Sequence, residues 1–457
     1  MLTYRLEFRP EGDEQFFQQL PASAAVFALR PAAPQAGAVH GADEQASAEA
    51  YISKTANLRR RARRLLAAPA KPLAANPNSV AAGETTAAPV AAGWKPDVTL
   101  RRLNLRERVR WLEYTPTGSD FESGLLLYKV LRQELPQAYE KRLRLRPAPL
   151  LRLILENRYP RLAVTARIGS LRGKSAYYGP FPTRAAAEKF ASDALDFFKV
   201  RRCTEELNPD PSFPGCIYSE MKMCLAPCFR GCTDEVYAAE VAQLEQFLST
   251  GGRSLLYAVA AERDRASQAL EFEAAAAMHV RFEKVQALMR ELPEIVHRLD
   301  QLRGVMIQPS AQPGSVALFK IEGATILDPI TFAPASANPV AAESAHSPAT
   351  LRPAEGKMRT PHSMEARTTE ALTSAAPARA KSGQEVMEHL AILKRWYYRS
   401  SKVGELFLAD DKGELPMRRM VRGMARVLKG EPPQPDLSEM ARDYWINRGK
   451  EAEIKSK

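Results

Sequence analysis

The sequence predicts an α+β protein assembled from several small blocks, and three features point there. Short runs rich in β-branched and aromatic residues, at 25–29, 50–53, 109–114, 304–308, 316–321 and 323–327, are bounded by turn-forming residues, as strands are. Other stretches, at 119–134, 253–291 and 386–400, repeat apolar residues at helical period with no interior proline. Between them lie Ala-, Pro-, Ser- and Thr-rich segments at 31–48, 67–98 and 333–383, too poor in large apolar side chains to offset chain entropy. Those segments are expected to be flexible insertions or a disordered linker. A chain of 457 residues has room for two to four domains with real cores. The expected blocks are 1–150, 151–250, 251–330 and 384–457.

In the first block, Ala25-Val26-Phe27-Ala28-Leu29 and Ala50-Tyr51-Ile52-Ser53 are two strands, and 55–66 is a helix carrying Arg59, Arg60, Arg61, Arg63 and Arg64. After the insertion, 109–114 is a third strand, and Phe121, Leu125, Leu126, Val130 and Leu131 recur on one face of a helix that Ser119 or Asp120 would cap. The five clustered arginines repel one another unless something anionic lies against them, so they are candidate phosphate-backbone contacts without sequence choice. The whole chain leans the same way: 65 Lys plus Arg against 53 Asp plus Glu give a formal charge of +12, which suits a nucleic-acid partner.

The second block holds the five cysteines. Cys203, Cys216, Cys224 and Cys228 follow a C-x12-C-x7-C-x3-C spacing, with Cys232 just beyond. The N-terminus MLTYRLEFRPEGDEQFF lacks the parts of a secretory signal, and no run of about 18 apolar residues exists to span a membrane. The expectation is a cytoplasmic chain with reduced thiols, where clustered cysteines are metal ligands rather than bridges. Four thiolates suit zinc or an iron–sulfur cluster, and spacing alone leaves the two open.

In the third block, 253–291 is a helical hairpin followed by a short antiparallel meander. In the last, the amphipathic helix 386–400 ends in Lys394, Arg395, Trp396, Tyr397, Tyr398 and Arg399, and a second basic helix follows from Met417. Aromatics among arginines suit single-stranded or distorted nucleic acid, where bases stack.

Several of these residues carry a resemblance. Leu20-Pro21-Ala22-Ser23-Ala24-Ala25-Val26-Phe27 and Tyr51-Ile52-Ser53-Lys54-Thr55-Ala56-Asn57-Leu58, continuing to Arg61, resemble the GIY-YIG nuclease module of UvrC-type excinuclease subunits. Tyr178-Gly179-Pro180-Phe181-Pro182 resembles the family's F-G-P-[YF]-P stretch, and the cysteines ending Leu225-Ala226-Pro227-Cys228 resemble its cysteine region. Leu270-Glu271-Phe272-Glu273-Ala274-Ala275-Ala276 resembles the UVR motif, through which the family contacts the UvrB helicase-like subunit. The resemblance covers about residues 10–290 and implies DNA and a UvrB-like subunit as partners, with Leu270, Glu271, Phe272 and Glu273 as partner-binding residues. It also favours a four-iron, four-sulfur cluster over zinc on Cys203, Cys216, Cys224 and Cys228.

The resemblance further implies catalytic positions, of which Tyr51, Lys54 and Arg61 are retained. In the family, a tyrosine of the first motif helps to activate water, an arginine stabilises the phosphoryl charge and a glutamate holds a divalent metal. Here Phe27 replaces that tyrosine, Ala25 and Ser53 replace the motif glycines, Leu65 replaces a later tyrosine, Glu140 an asparagine, and Tyr128 the metal-holding glutamate. Glu122 and Glu134 each lie six residues from Tyr128, about 120° round a helix. The expectation is therefore an impaired nuclease: an accessory or regulatory DNA-binding protein of, or derived from, nucleotide-excision repair, needing Mg2+ or Mn2+ only if cleavage persists. No part beyond 332 resembles the family's RNase-H-like or helix-hairpin-helix domains, so a second incision is not expected. The alternatives are an active subunit making one metal-dependent incision, and a non-enzymatic interaction module.

Overall fold

A computed structural model describes residues 2–31, 50–68, 105–169, 173–334, 363–374 and 382–433. Most of the expected insertions at 31–48 and 67–98 and much of 333–383 lie outside them. The chain divides into two compact units, Met1–Tyr139 and Glu140–Lys457. Helices and wholly antiparallel sheets make the fold α+β.

In the first unit, β1 (Tyr4–Glu7), β2 (Ala25–Arg30), β3 (Tyr51–Thr55) and β4 (Trp111–Pro116) form a sheet in the order β1-β4-β2-β3. The helices are α1 (Asp13–Gln19), α2 (Leu58–Leu66) and α3 (Asp120–Glu134). Ala25, Phe27 and Leu29 face a cluster shared with Phe16 and Phe17 of α1 and Leu58, Ala62 and Leu65 of α2. Alternation turns the equally buried Val26 and Ala28 to the other face, where α3 covers β2 and β3. The central strand is thus apolar on both sides, which explains its continuous AVFAL run. The Asn57 side chain accepts from the Arg60 N–H at 2.9 Å to start α2, and Ser119 does the same for the Glu122 N–H at 3.1 Å to start α3. β1 was not expected from sequence, although its four-residue YRLE run alternates apolar with charged side chains.

In the second unit, β5 (Leu150–Ile154), β6 (Arg161–Thr165), β7 (Ala176–Gly179) and β8 (His297–Arg298) form one sheet, against which α4 (Arg184–Leu195) packs. After the cysteine segment come α5 (Asp234–Ser249) and an antiparallel hairpin of α6 (Arg253–Gln268) and α7 (Phe272–Glu291). The second sheet holds β9 (Arg303–Pro309), β10 (Val316–Glu322), β11 (Thr325–Ile326), β12 (Ile330–Phe332) and β13 (Glu405–Leu408), with helices α8 (Met364–Thr373), α9 (Gly383–Tyr397) and α10 (Met417–Lys429).

Three features here differ from the sequence reading. The stretch 333–383, expected to be a disordered linker, contains α8, whose Thr368 and Leu372 are buried. The block 384–457 does not stand apart, because β13 pairs with β9 through Glu405↔Ile307 to Leu408↔Gly304. The aromatic end of α9 is spent on packing: Trp396 is buried and its indole N–H donates to the Val403 carbonyl, and the Tyr398 hydroxyl donates to the Pro180 carbonyl. The buried Trp396 ring is not available to stack on a base.

α10 is seated by two contacts. Gly423 lies so close to Phe407 of β13 that a Cβ there would come within 2.5 Å of the ring. Beside it, the Arg426 guanidinium forks onto both Glu405 carboxylate oxygens, each at 2.7 Å, with both side chains largely buried. Removing one partner strands the other as a buried charge. Glu405→Ala is expected to lower the stability of this unit by about 3 kcal/mol in denaturant unfolding, and Glu405→Leu with Arg426→Met to recover most of it.

Candidate functional site

Tyr51 and Lys54 lie on β3, and Arg61 lies in the first turns of α2. Tyr51 pairs with Leu29, two steps along from the Phe27–Ser53 pair and therefore on the same face, and the Phe27 and Tyr51 rings lie 6.1 Å apart. The Arg61 guanidinium donates to the Tyr51 hydroxyl at 2.8 Å. Lys54 reaches the carboxylate of Asp120, at the start of α3, at 2.6 Å. The retained positions therefore fall into two separate pairs on opposite faces of the sheet, Tyr51 with Arg61 on the side of α1 and α2 and Lys54 with Asp120 on the side of α3. Asp120 was not singled out in the sequence, which gives no hint that the start of α3 returns to β3.

The replaced positions have become core. Phe27 is fully buried, and Tyr128 is 1% exposed among the apolar residues of α3. The Tyr128 hydroxyl accepts from Arg132 at 2.8 Å, and its ring meets Tyr139 edge-on. The two nearest glutamates on the helix are engaged elsewhere. Glu134 takes a fork from Arg30, at 2.9 and 2.5 Å, and Glu122 accepts the Gly118 N–H at 2.7 Å. Burial raises the Glu122 carboxyl above the usual carboxylate range, against a smaller opposing pull from that N–H. Glu140 lies in the second unit, where it accepts from Gln384 at 2.7 Å beside a cavity of about 400 Å³ lined also by Leu145, Ile168, Met387 and Glu388.

The five arginines of α2 divide. Arg59 donates to the Leu20 and Gln18 carbonyls at the end of α1, Arg61 is bonded to Tyr51, and Arg63 pairs with Glu14. Arg60 and Arg64 are exposed. On α10, Arg418, Arg422 and Lys429 share the exposed face opposite Met420, Met424 and Val427.

In the second unit, Cys203, Cys216, Cys224 and Cys228 are half-buried free thiols on a segment that turns repeatedly. Gly215, Lys222, Ala226 and Arg230 all have positive φ, between 56° and 92°. Three of these are not glycine, and such backbone persists only where surrounding bonds fix it. Those bonds include Leu225 N–H to the Lys199 carbonyl at 3.0 Å, Asp210 N–H to the Cys228 carbonyl at 2.8 Å and Gly231 N–H to the Ala226 carbonyl at 2.9 Å. The Ala226 N–H points at the Cys224 sulfur at 3.3 Å. Burial pushes the Cys224 thiol up to about 11, the Ala226 N–H opposes this, and the nearby Cys203, Cys228 and Cys216 raise it further. The four thiols are thus near enough to feel one another's charge, although no three His, Cys, Asp or Glu side chains among the described residues stand close enough to hold a metal ion as they are. In donor type alone they suit a soft metal centre.

Leu270, Glu271, Phe272 and Glu273 form the tip of the α6–α7 hairpin, where Leu270 takes a left-handed turn at φ 61°. Leu270 and Phe272 are 71% and 69% exposed, whereas the apolar residues of α7 become buried only at Val285 and Leu288, in its far half.

Residues 149–247 match the model of the UvrC/Cho excinuclease middle domain. The UvrABC system protein C of Alcanivorax borkumensis is 32% identical over 185 residues, 40% of this chain and 30% of the relative. That of Edwardsiella ictaluri is 30% identical over 187 residues, and that of Pseudomonas savastanoi 28% over 234 residues, 50% of this chain and 37% of the relative. Over part of its length the chain is similar to UvrC-type proteins. It spans about a third of the curated relatives it matches. No solved structure matches it. The stretch that matches the middle-domain model runs from β5 into α5 and contains all five cysteines, while in sequence the strands bearing Phe27 and Tyr51 precede it and the hairpin tip follows it. Among the described residues, no helix is long and apolar enough to cross a membrane.

A raised native carboxyl favours the folded state at low pH and loses that contribution as pH climbs through the folded value. Glu122→Gln keeps an acceptor for Gly118 without the charge. It is expected to raise the melting temperature of the chain at pH 7, with the gain vanishing near pH 4, where the wild-type carboxyl is protonated in both states.

Proposed function

We propose that this UvrC-type chain binds DNA in, or in a role derived from, nucleotide-excision repair, as an accessory or regulatory protein with an impaired GIY-YIG-like centre. One observation carries the reading: the place of the family's metal-holding glutamate is filled by Tyr128, 1% exposed and bonded to Arg132. Hydrolysis of a phosphodiester needs an activated water and a cation at the non-bridging and leaving oxygens. A buried phenol holds magnesium poorly, and Phe27 has no hydroxyl through which to move a proton. Tyr51, Lys54 and Arg61 keep their places but are engaged with one another and with Asp120.

DNA contact is supported by the charge of +12 and by cations that face outward, Arg60 and Arg64 on α2 and Arg418, Arg422 and Lys429 on α10. The apolar hairpin tip, with Leu270, Glu271, Phe272 and Glu273, is the docking point for a UvrB-like subunit. Cys203, Cys216, Cys224 and Cys228 would hold an iron–sulfur cluster, or zinc in its place, cross-linking the turns of the middle domain. A bound centre of this kind would act as a structural clasp between DNA-contacting and partner-contacting parts.

The second reading, a single metal-dependent incision, rests on Asp120, a carboxylate set beside retained Lys54. The full chain, a lesion-bearing duplex, a UvrB-like subunit and magnesium or manganese separate the two. No cleavage is expected; cleavage abolished by Asp120→Ala or Arg61→Ala would establish the second reading and sink the first. Binding is read from affinity against salt, where changing Arg60, Arg64, Arg418 and Arg422 to Ala is expected to flatten the log–log slope by up to roughly 3–4 for duplex DNA. An unmutated chain without salt-dependent affinity would instead be a protein-interaction module.

A further inference from the structure

Arg201 is a buried cation that pairs with no carboxylate among the described residues. It is 2% exposed, yet every atom it donates to is neutral: Nε to the Tyr159 carbonyl at 2.8 Å, and Nη1 to the Glu205 carbonyl at 2.7 Å, the Cys203 carbonyl at 3.5 Å and the Cys203 sulfur at 3.6 Å. Its backbone N–H donates to the Tyr237 hydroxyl at 3.0 Å, so the whole residue is held in place. Arg161 makes the imbalance worse. It lies near enough for the two guanidinium charges to oppose each other, its Nε is buried without a hydrogen-bond partner, and Cys203 is the neighbour whose negative charge would favour it. Burying one unpaired charge is strongly unfavourable, and two like charges side by side are more so. The solvent-facing arginines of this chain cannot serve as a comparison, because water screens them.

The missing anion is identified by what the cations face. Neither arginine forms an ion pair with a carboxylate among the described residues, and the group that Arg201 touches and Arg161 neighbours is a thiol of the four-cysteine segment. A phosphate from solvent cannot reach a residue so enclosed. Four thiolates around zinc or around a four-iron cluster keep a net negative charge, which supplies what this pocket lacks. We infer that Arg201, supported by Arg161, is the internal counter-charge of a thiolate-bound metal centre, donating to the Cys203 sulfur and fixing the orientation of that ligand. The inference rests on the cofactor reading above and assigns Arg201 and Arg161 a positioning role toward it. Partners of this kind around metal ligands typically govern affinity by 10- to 100-fold.

The carbonyls that Arg201 bridges allow a purely structural staple, and the test must separate charge from donor count. The full chain is purified anaerobically, its iron, sulfide and zinc are measured per chain, and release of metal to a chelator is timed. Arg201→Lys keeps the charge but not the fork; Arg201→Gln keeps two donors but not the charge. The expected result is that Arg201→Gln loses its metal about 10- to 100-fold more readily than wild type, with Arg201→Lys close to wild type. Equal retention in Arg201→Gln, or equal loss in both variants, would overturn the inference in favour of a staple. Should Arg201→Gln not fold, Arg161→Gln carries the test, since its side chain is partly exposed; unchanged retention there overturns the inference. Wild-type chain free of iron and zinc would show instead that the cofactor reading itself fails, and the inference with it.

Discussion

Three buried residues set the geometry of the middle domain. The Tyr159 carbonyl accepts from the Arg201 side chain, the Arg201 backbone donates to the Tyr237 hydroxyl, and that hydroxyl donates back to the Pro160 carbonyl at 2.8 Å. The Tyr159 and Tyr237 rings meet edge to face at 5.4 Å, and the Tyr159 hydroxyl bonds Asp234 at 2.7 Å. One node therefore joins the edge of a sheet, the entry to the cysteine segment and the first turns of α5. Burial raises the Tyr237 hydroxyl, keeping it a neutral donor throughout the working pH range. The position of Cys203, and through it the shape of the thiol cluster, depends on this node.

In the first unit the same physics, desolvation, works against chemistry. A catalytic carboxylate at position 128 would need water or a cation on the face that α3 turns toward the sheet. A phenol there contributes packing area and one hydrogen bond to Arg132, and satisfies its polar atom at little cost. Phe27 makes the same exchange on the opposite face of the sheet. Both replacements are compatible with the fold, because β2 is stabilised by apolar contact on both sides rather than by anything its reacting atoms once did.

How much of this the sequence disclosed depended on whether a signal was local. The strands around Phe27 and Tyr51 and the helix from Ser119 carry their own periodicity and cap, and they lie close to where the pattern puts them. The helical hairpin was legible from the apolar period of 253–291. Long-range partners were not. Nothing in the sequence ties Asp120 to Lys54, Arg201 to Tyr159 or Glu405 to Arg426, since each pair is joined only by the folded chain. The arginine cluster was over-read for the same reason: charge density is visible in a sequence, but the carbonyls at the end of α1 that occupy Arg59 are not. Trp396 likewise looked like a stacking platform until its burial and its bond to the Val403 carbonyl placed it in a packed core.

The pairing of β13 with β9 also constrains how the chain is made. β9 is an almost wholly buried strand of Val305, Met306 and Ile307, and one of its two edges is covered only when Glu405–Leu408 arrives, long after β10 has covered the other. A ribosome delivering this chain from its N-terminus must therefore hold an open apolar strand edge in the nascent protein until residues beyond 400 emerge. Such an edge is a template for pairing with another copy. The second sheet is thus the part of the molecule whose safe assembly depends on timing, and truncation before β13 leaves a strand with an unpaired edge rather than a smaller finished domain.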